Sequence, residues 1–390
     1  MKRFGNIWPD FIDKGNAFVA VVDGTKQKRK MPAVQRLFFD DAEVAKNPSC
    51  YRVIDPKKAY EYTRPIIESL ENGTWQHKKP KHIQKFCRNR TAGKGKWRDL
   101  YIASLDDHIV HHMAISSCKK AITRGMHPHC CGSVPGRGIR HVIKFTRHWI
   151  KNDPECRYFV KLDIKKYFDN IKADILVEKL AEKIKDPRML QVLTQIIYSA
   201  PIACPVGYYP SPWFANLYLE KLDWFIEQQL YKERRGKRIK YVKHYLRYMD
   251  DMLLIGSSKT DLYKAVRAIR KYLKDELDLQ IKNTWEIKRI GTMDRKTGKP
   301  VSGNWIDIGG YKFCKKATIM RGGIFLAIKQ LVRKMYRQGY YTTHQSQSLM
   351  SRIGWSSHCD SFRFFTYEIR PFINLKKVRE RISYGMAKIR

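Results

Sequence analysis

The sequence predicts an α+β fold in which an antiparallel sheet is backed by helices. Three observations predict it. YFVKLDIKKYF at 158–168 alternates and is rich in aromatic and branched side chains, which marks a strand. YLRYMDDMLLIGS at 245–257 reads as strand, tight turn and strand. The stretches between and after them carry apolar residues at three- and four-residue spacing, which marks helices. Strands and helices in that order form a layered architecture, and 390 residues with 43% hydrophobic content can bury a large core.

The elements follow in chain order. Residues 1–60, with GTKQKRKM at 24–31, read as a basic N-terminal extension able to dock structured RNA. KKPKHIQKFCRNRTAGKGKWR at 78–98 holds nine Lys and Arg and no acid, with Phe86 and Trp97 interleaved. Pro and Gly break it, so it reads as loop and extended chain that contacts backbone phosphate. After the strand at 158–168, DILVEKLAEKIKD (174–186) carries Leu176, Leu180 and Ile184 on one helical face, and MLQVLTQIIYSA (189–200) forms a second helix. SPWFANLYLEKLDWFIEQQL (211–230) reads as one long helix opened by Ser and Pro. YKERRGKRIKYVK (231–243) is a basic connector, loop or hairpin. An amphipathic helix at 260–277 follows the Asp pair, then short strands near 285–290 and 305–314. From about 324 the tail is helical, with Ile324, Ile328, Leu331, Val332 and Met335 as its stripe.

Charge narrows the function. Lys and Arg number 77 against 37 Asp and Glu, a net +40. Such an excess over a whole folded chain points to a polyanionic partner, nucleic acid first and an anionic membrane surface second. The sequence has no run of eighteen apolar residues, so no spanning helix is expected. Its start, MKRFGNIWPDFIDKGN, has no apolar stretch of signal-peptide length. Nine cysteines at irregular spacing suit a reducing, cytoplasmic setting. HPHCC at 127–131 is a poor zinc site, because adjacent Cys130 and Cys131 chelate one ion badly.

The chemistry lies in RYMDDMLLIG at 247–256. Adjacent like charges repel, and a strand core rejects them. A solvated turn is the ordinary explanation of Asp250 and Asp251. A third carboxylate, Asp163, sits on a strand that could lie beside the hairpin. Three carboxylates at one sheet edge need cations, and two Mg²⁺ ions about 3.5–4 Å apart would neutralise them. In-line phosphoryl transfer requires such a pair.

These motifs resemble those of reverse transcriptases, in consistent order from about 94 to 315. YMDD is preceded by LDIKKYFDNI (162–171), the first palm motif, and by PVGYYPSP (205–212). GKWRDLYI (95–102) and CGSVPGRGIRHVI (131–143) are similar to fingers motifs, and IDIGGYKF (306–313) to the primer-grip strand. The resemblance implies a right-hand polymerase with fingers at 61–157, a palm at 158–318 with a helical insertion at 172–200, and a helical thumb at 319–390. It implies metal binding by Asp163, Asp250, Asp251 and the Ile164 main chain. It implies nucleotide binding by Lys96, Arg98, Phe168, Val206 and Gly207, with Phe168 as a steric gate against the 2′-hydroxyl. Template and primer contacts would come from Gly136, Arg137, Ser211, Pro212, Gly310 and Tyr311. Implied partners are dNTPs, an RNA–DNA hybrid and a structured template RNA; a homo-oligomer stays open, and no membrane is involved.

MKRFGNIW, DDHIVHHMAI (106–115), the valine of VGYYPSP and SRIGWSSHCDS (351–361) are most similar to diversity-generating retroelement enzymes of bacteria and phages. That likeness implies error-prone copying of a non-coding RNA, with errors at adenines, and a small basic accessory protein. Val206 stands where the wider family has a Gln that helps hold the incoming nucleotide. Pro212 departs from the subgroup, which has Gln there. Other readings stand beside this one: a reverse transcriptase of phage defence, a retron-like or intron-derived enzyme, an RNA-only polymerase, and a catalytically idle nucleic-acid-binding scaffold. The three intact carboxylates speak against the idle scaffold.

Overall fold

The computed structural model describes residues 3–29, 31–39, 54–88, 95–294 and 300–387. Helices Trp8–Ile12, Lys14–Thr25, Pro32–Phe38 and Pro56–Glu71 precede a hairpin of β1 (Lys81–Arg88) and β2 (Gly95–Ile102). Helices Leu105–Thr123 and Ile139–Asn152 lead into β3 (Tyr158–Asp163). Helices Ala173–Ala181, Pro187–Tyr198, Ser211–Tyr218 and Glu220–Gln228 come next. A second hairpin, β4 (Tyr231–Arg234) and β5 (Lys237–Lys240), follows, then β6 (His244–Tyr248) and β7 (Asp251–Gly256). After helix Lys259–Leu277 come β8 (Lys288–Arg289), β9 (Thr292–Met293), β10 (Pro300–Ser302), β11 (Ile306–Ile308), β12 (Tyr311–Cys314) and β13 (Ala317–Met320). The remainder is mainly helical, with Gly322–Gln338, Thr343–Ile353 and Leu375–Ala387 as its longest pieces.

The central sheet runs β6-β7-β3-β8, antiparallel at every step. Helices back it as expected. Ser258 accepts the Asp261 amide at 3.3 Å and opens Lys259–Leu277. Leu262, Ala265, Val266, Ile269 and Leu273 of that helix are buried, as the spacing predicts. The sheet is covered on its second face as well. Val160, Leu162, Met252 and Leu254 join a large core with the N-terminal helices. Phe159, Leu246, Leu253 and Ile255 join another core with Ile143, Trp149, Ile306 and Phe313. Burial on both faces is why MLLI reads as an unbroken apolar run and not an alternation.

Two expectations are corrected. The stretch 211–230 is two helices, because Leu219 leaves helical geometry at φ −98° and ψ 2°. The basic stretch at 78–98 contains β1 and part of β2, paired over eight residues; Pro80 and Gly95 border the strands and do not break them. Its residues 89–94 lie outside the described ones. Among the described residues of the first sixty, Trp8, Phe11, Val21 and Phe38 are core residues. Of GTKQKRKM, Lys30 lies outside the described residues.

Candidate active site

Register brings the acids together. The ladder pairs Asp163 at the end of β3 with Asp251 at the start of β7, and Tyr248 of β6 with the same Asp251. Asp250 sits in the turn between β6 and β7. Met249 takes a left-handed conformation there, φ 57°, which reverses the chain within two residues. The three predicted carboxylates therefore share one edge of the sheet.

Their electrostatics are strained. Burial pushes the Asp250 carboxyl above its usual range, and the Asp163 and Asp251 carboxylates add to the shift. Lys282 Nζ lies 2.7 Å from Asp163 Oδ1, and Lys161 Nζ lies 3.7 Å from Asp251 Oδ1. Despite that lysine, Asp163 Oδ1 is shielded from solvent and makes no hydrogen bond of good geometry. Crowded oxygen donors with an unmet acceptor are the donor set a hard divalent cation takes. Ile164 bridges Ile281 through the Asp163 carbonyl and the Lys165 amide, so the Ile164 carbonyl is left out of that pairing. The residues present thus fit the implied ions.

A buried network behind the turn escaped the sequence reading. Arg247 is fully buried and forks onto Asp223, with Nε–Oδ1 at 2.7 Å and Nη2–Oδ2 at 2.6 Å. Its Nη1 donates to the Met249 carbonyl at 3.0 Å and to Asn216 Oδ1 at 3.1 Å. Tyr245 donates to Asp223 at 2.7 Å. Asn216 Nδ2 donates to the Gly132 carbonyl at 2.6 Å, and the Cys131 amide to the Arg247 carbonyl at 2.8 Å. Helix Ser211–Tyr218, the 127–132 loop and the acid-bearing turn are thereby locked together. Gly132 permits this approach: a Cβ there would lie 2.8 Å from the Met249 amide.

The other expected residues divide. Phe168 is half-buried in the short helix Tyr167–Asn170 after β3, its ring 5.6 Å from that of Tyr167. Tyr167 donates to the Ala215 carbonyl, which fixes this short helix against helix Ser211–Tyr218. Ser211 is buried and donates to the Pro205 carbonyl at 2.7 Å, and Pro212 lies in the helix's first turn. Lys96 and Arg98 are exposed on β2, across from Cys87 and Lys85. No hydrogen bond or ion pair joins them to the three carboxylates among the described residues. On the intervening positions Phe86 and Trp97 face each other, 45% and 62% exposed.

Gly207 serves a close approach of the backbone of β2. The Tyr101 amide donates to the Val206 carbonyl at 2.9 Å, and a Cβ on Gly207 would collide with the Tyr101 carbonyl. With φ at 120°, Gly207→Ala is expected to cost about 1–3 kcal/mol. A urea melt checks this, and unchanged stability would contradict the assignment. Tyr208 and Tyr209 are packed by the DDHIVHHMAI helix. Tyr208 lies 4.6 Å from His111, and Tyr209 stacks on His112 at 3.7 Å.

Arg137 and Tyr311 are both engaged within the protein. Arg137 turns onto its own loop and donates to the His127 and Cys130 carbonyls at 2.6 and 3.0 Å. Only Gly136 of that pair is exposed. Tyr311 is buried, stacks on Trp355 and donates to its carbonyl at 2.7 Å. A ring so placed packs the segment that carries Trp355 onto β12. Gly310, φ 85°, lets Trp355 come close.

Residues 77–284 match the family described as reverse transcriptase (RNA-dependent DNA polymerase). Over 178 residues the chain is 26% identical to the group II intron-encoded protein LtrA of Lactococcus lactis subsp. cremoris, covering 43% of this chain and 28% of that protein. Over 174 residues it is 23% identical to the retron Ec73 reverse transcriptase of Escherichia coli, covering 43% and 51%. Telomerase from Candida albicans in complex with a fragment of telomeric RNA aligns with a TM-score of 0.45 at 12% identity, over 80% of this chain and 58% of that one. The chain spans less than two thirds of the length of each of the three.

Proposed function

The chain belongs to the reverse transcriptase family, and from that premise we propose that it is an RNA-directed DNA polymerase that copies a structured non-coding RNA into cDNA. The observation that carries the proposal is the register that sets Asp163 beside Asp251, one residue from Asp250. Asp163, Asp250, Asp251 and the Ile164 carbonyl would hold two Mg²⁺ ions. When bound, such ions supply an activated 3′-hydroxyl and charge neutralisation at the leaving pyrophosphate. The protein's own part is to fix the acids on adjacent strands. Lys282 and Lys161 balance their charge from the flanks. Exposed Lys96 and Arg98 on the fingers hairpin are the cations offered to the triphosphate, Arg98 with the planar fork that phosphate favours.

Phe168 is proposed as the steric gate. Phe168→Ala is expected to admit ribonucleotides, read as a rise in rNTP incorporation relative to dNTP in primer extension. Unchanged sugar selection would remove the gate from Phe168.

We further propose the diversity-generating role, with dNTPs, an RNA–DNA hybrid and a small accessory protein as partners and the cytoplasm as location. No helix among the described residues is long and apolar enough to cross a membrane. Val206 supports this role, because an apolar side chain there cannot make a polar contact to the nucleotide. Val206→Gln is expected to lower errors at template adenines, as read by sequencing the cDNA. An unchanged error spectrum would sink the link between Val206 and fidelity. Pro212 favours a second role, phage defence, in which cDNA would be faithful, repetitive or homopolymeric.

A further inference from the structure

A second cluster of ligand atoms lies at the opposite end of the palm sheet from the three acids. We propose that Asp153, Cys156 and His244 bind one transition-metal ion, with zinc the ion their chemistry suits best. One ligand atom from each residue lies within 4.8 Å of the other two. Asp153 follows helix Ile139–Asn152, Cys156 stands two residues before β3, and His244 is the first residue of β6. The fold brings them together around the end of β7, where Ile255 pairs with both His244 and Phe159.

The ligands are oriented in advance. Asp153 Oδ1 accepts the Glu155 amide at 2.8 Å, which leaves Oδ2 facing His244 Nε2 at 2.7 Å. The Cys156 amide donates to the Asp153 carbonyl at 3.1 Å, closing a tight turn. The His244 ring lies flat on Trp149, with centroids 4.7 Å apart and planes 13° apart. Such supporting contacts fix ligand rings and carboxylates in metal sites. Cys156 is buried while Asp153 and His244 are partly open, so an ion has a way in and the sulfur is shielded afterwards.

A thiolate, an imidazole and a carboxylate select zinc over hard cations. Binding breaks the His244–Asp153 hydrogen bond, leaves the imidazole proton on Nδ1 so that Nε2 can ligate, forms the metal–sulfur bond and releases the thiol proton to solvent. The ion would tie the start of β6 to the start of β3. Those strands run toward the acid-bearing turn and Asp163, so the site would brace the frame that holds the acids. The competing explanation is a His–Asp hydrogen bond with a buried cysteine beside it. The proposal stands whether or not the chain makes DNA.

The test is titration of the metal-free full chain with Co²⁺, read by absorption. We expect one equivalent to give a thiolate-to-cobalt charge-transfer band that Zn²⁺ displaces. The band should persist in Asp250→Asn and vanish in Cys156→Ser. Zn²⁺ should raise the melting temperature of the wild type and not that of Cys156→Ser. A wild-type chain that gives no such band overturns the proposal without reference to any variant. A band that survives Cys156→Ser overturns it too.

Discussion

Asp250→Asn and Asp251→Asn are each expected to lower DNA synthesis by about 10³-fold or more while RNA binding persists. Asn keeps the shape of Asp and removes the charge. The site would then lose several kcal/mol of stabilisation for the reacting groups, and every 1.36 kcal/mol is about tenfold in rate. Binding should survive, because it draws on the chain's +40 charge and not on these acids. Stability should not fall, and for Asp250 it should hold or rise. That carboxyl is buried among like charges, so its removal relieves repulsion. The check is primer extension on an RNA template beside a filter-binding assay and a thermal melt. Full synthesis in either variant would remove the acids from the chemistry. Loss of synthesis together with loss of folding would mean that the acids are structural.

Arg247→Met is expected to destabilise the protein by about 3–5 kcal/mol, the usual consequence of stripping one partner from a buried ion pair. Arg247 is fully buried, and its removal leaves Asp223 charged, enclosed and without its forked donor. The Met249 carbonyl loses its hydrogen bond as well, at a turn already held at positive φ. Synthesis should fall along with stability, because that turn carries Asp250. The double variant Arg247→Met and Asp223→Leu should recover much of the stability, since no unpaired charge then remains. It should not recover full activity, because nothing anchors the Met249 carbonyl. Urea melts of the single and double variants decide this. A single variant as stable as the wild type would mean that the pair is dispensable.

The acids were legible because they violate a local rule: charged neighbours inside an apolar strand signal stand out with no knowledge of the fold. The helix Lys259–Leu277 was legible for the complementary reason, its stripe having a clean period. Arg247 and Asp223 were not legible. They stand 24 residues apart in a chain full of lysine and arginine, and periodicity cannot say which cation turns inward. Burial of the palm on both faces was written in the run MLLI, yet it needs the later strands β11 to β13 and the C-terminal helices to become visible. Leu219 gives no sign of the helix break, being a good helix former; what surrounds it decides. Tyr311 was placed by motif alone, and only the packing of Trp355 reveals it as a core residue. The motif marks Gly207 as a place of close approach to a nucleotide, and it gives no sign that the backbone of β2 comes close there as well.

The central claim is RNA-directed DNA synthesis, and one measurement meets it most directly. The chain is purified with the nucleic acid it holds, supplied with Mg²⁺ and all four dNTPs, and the products are sequenced. The account predicts cDNA complementary to a defined bound RNA, made by the wild type and absent with Asp250→Asn. A wild type that holds RNA and makes no DNA under these conditions would contradict it.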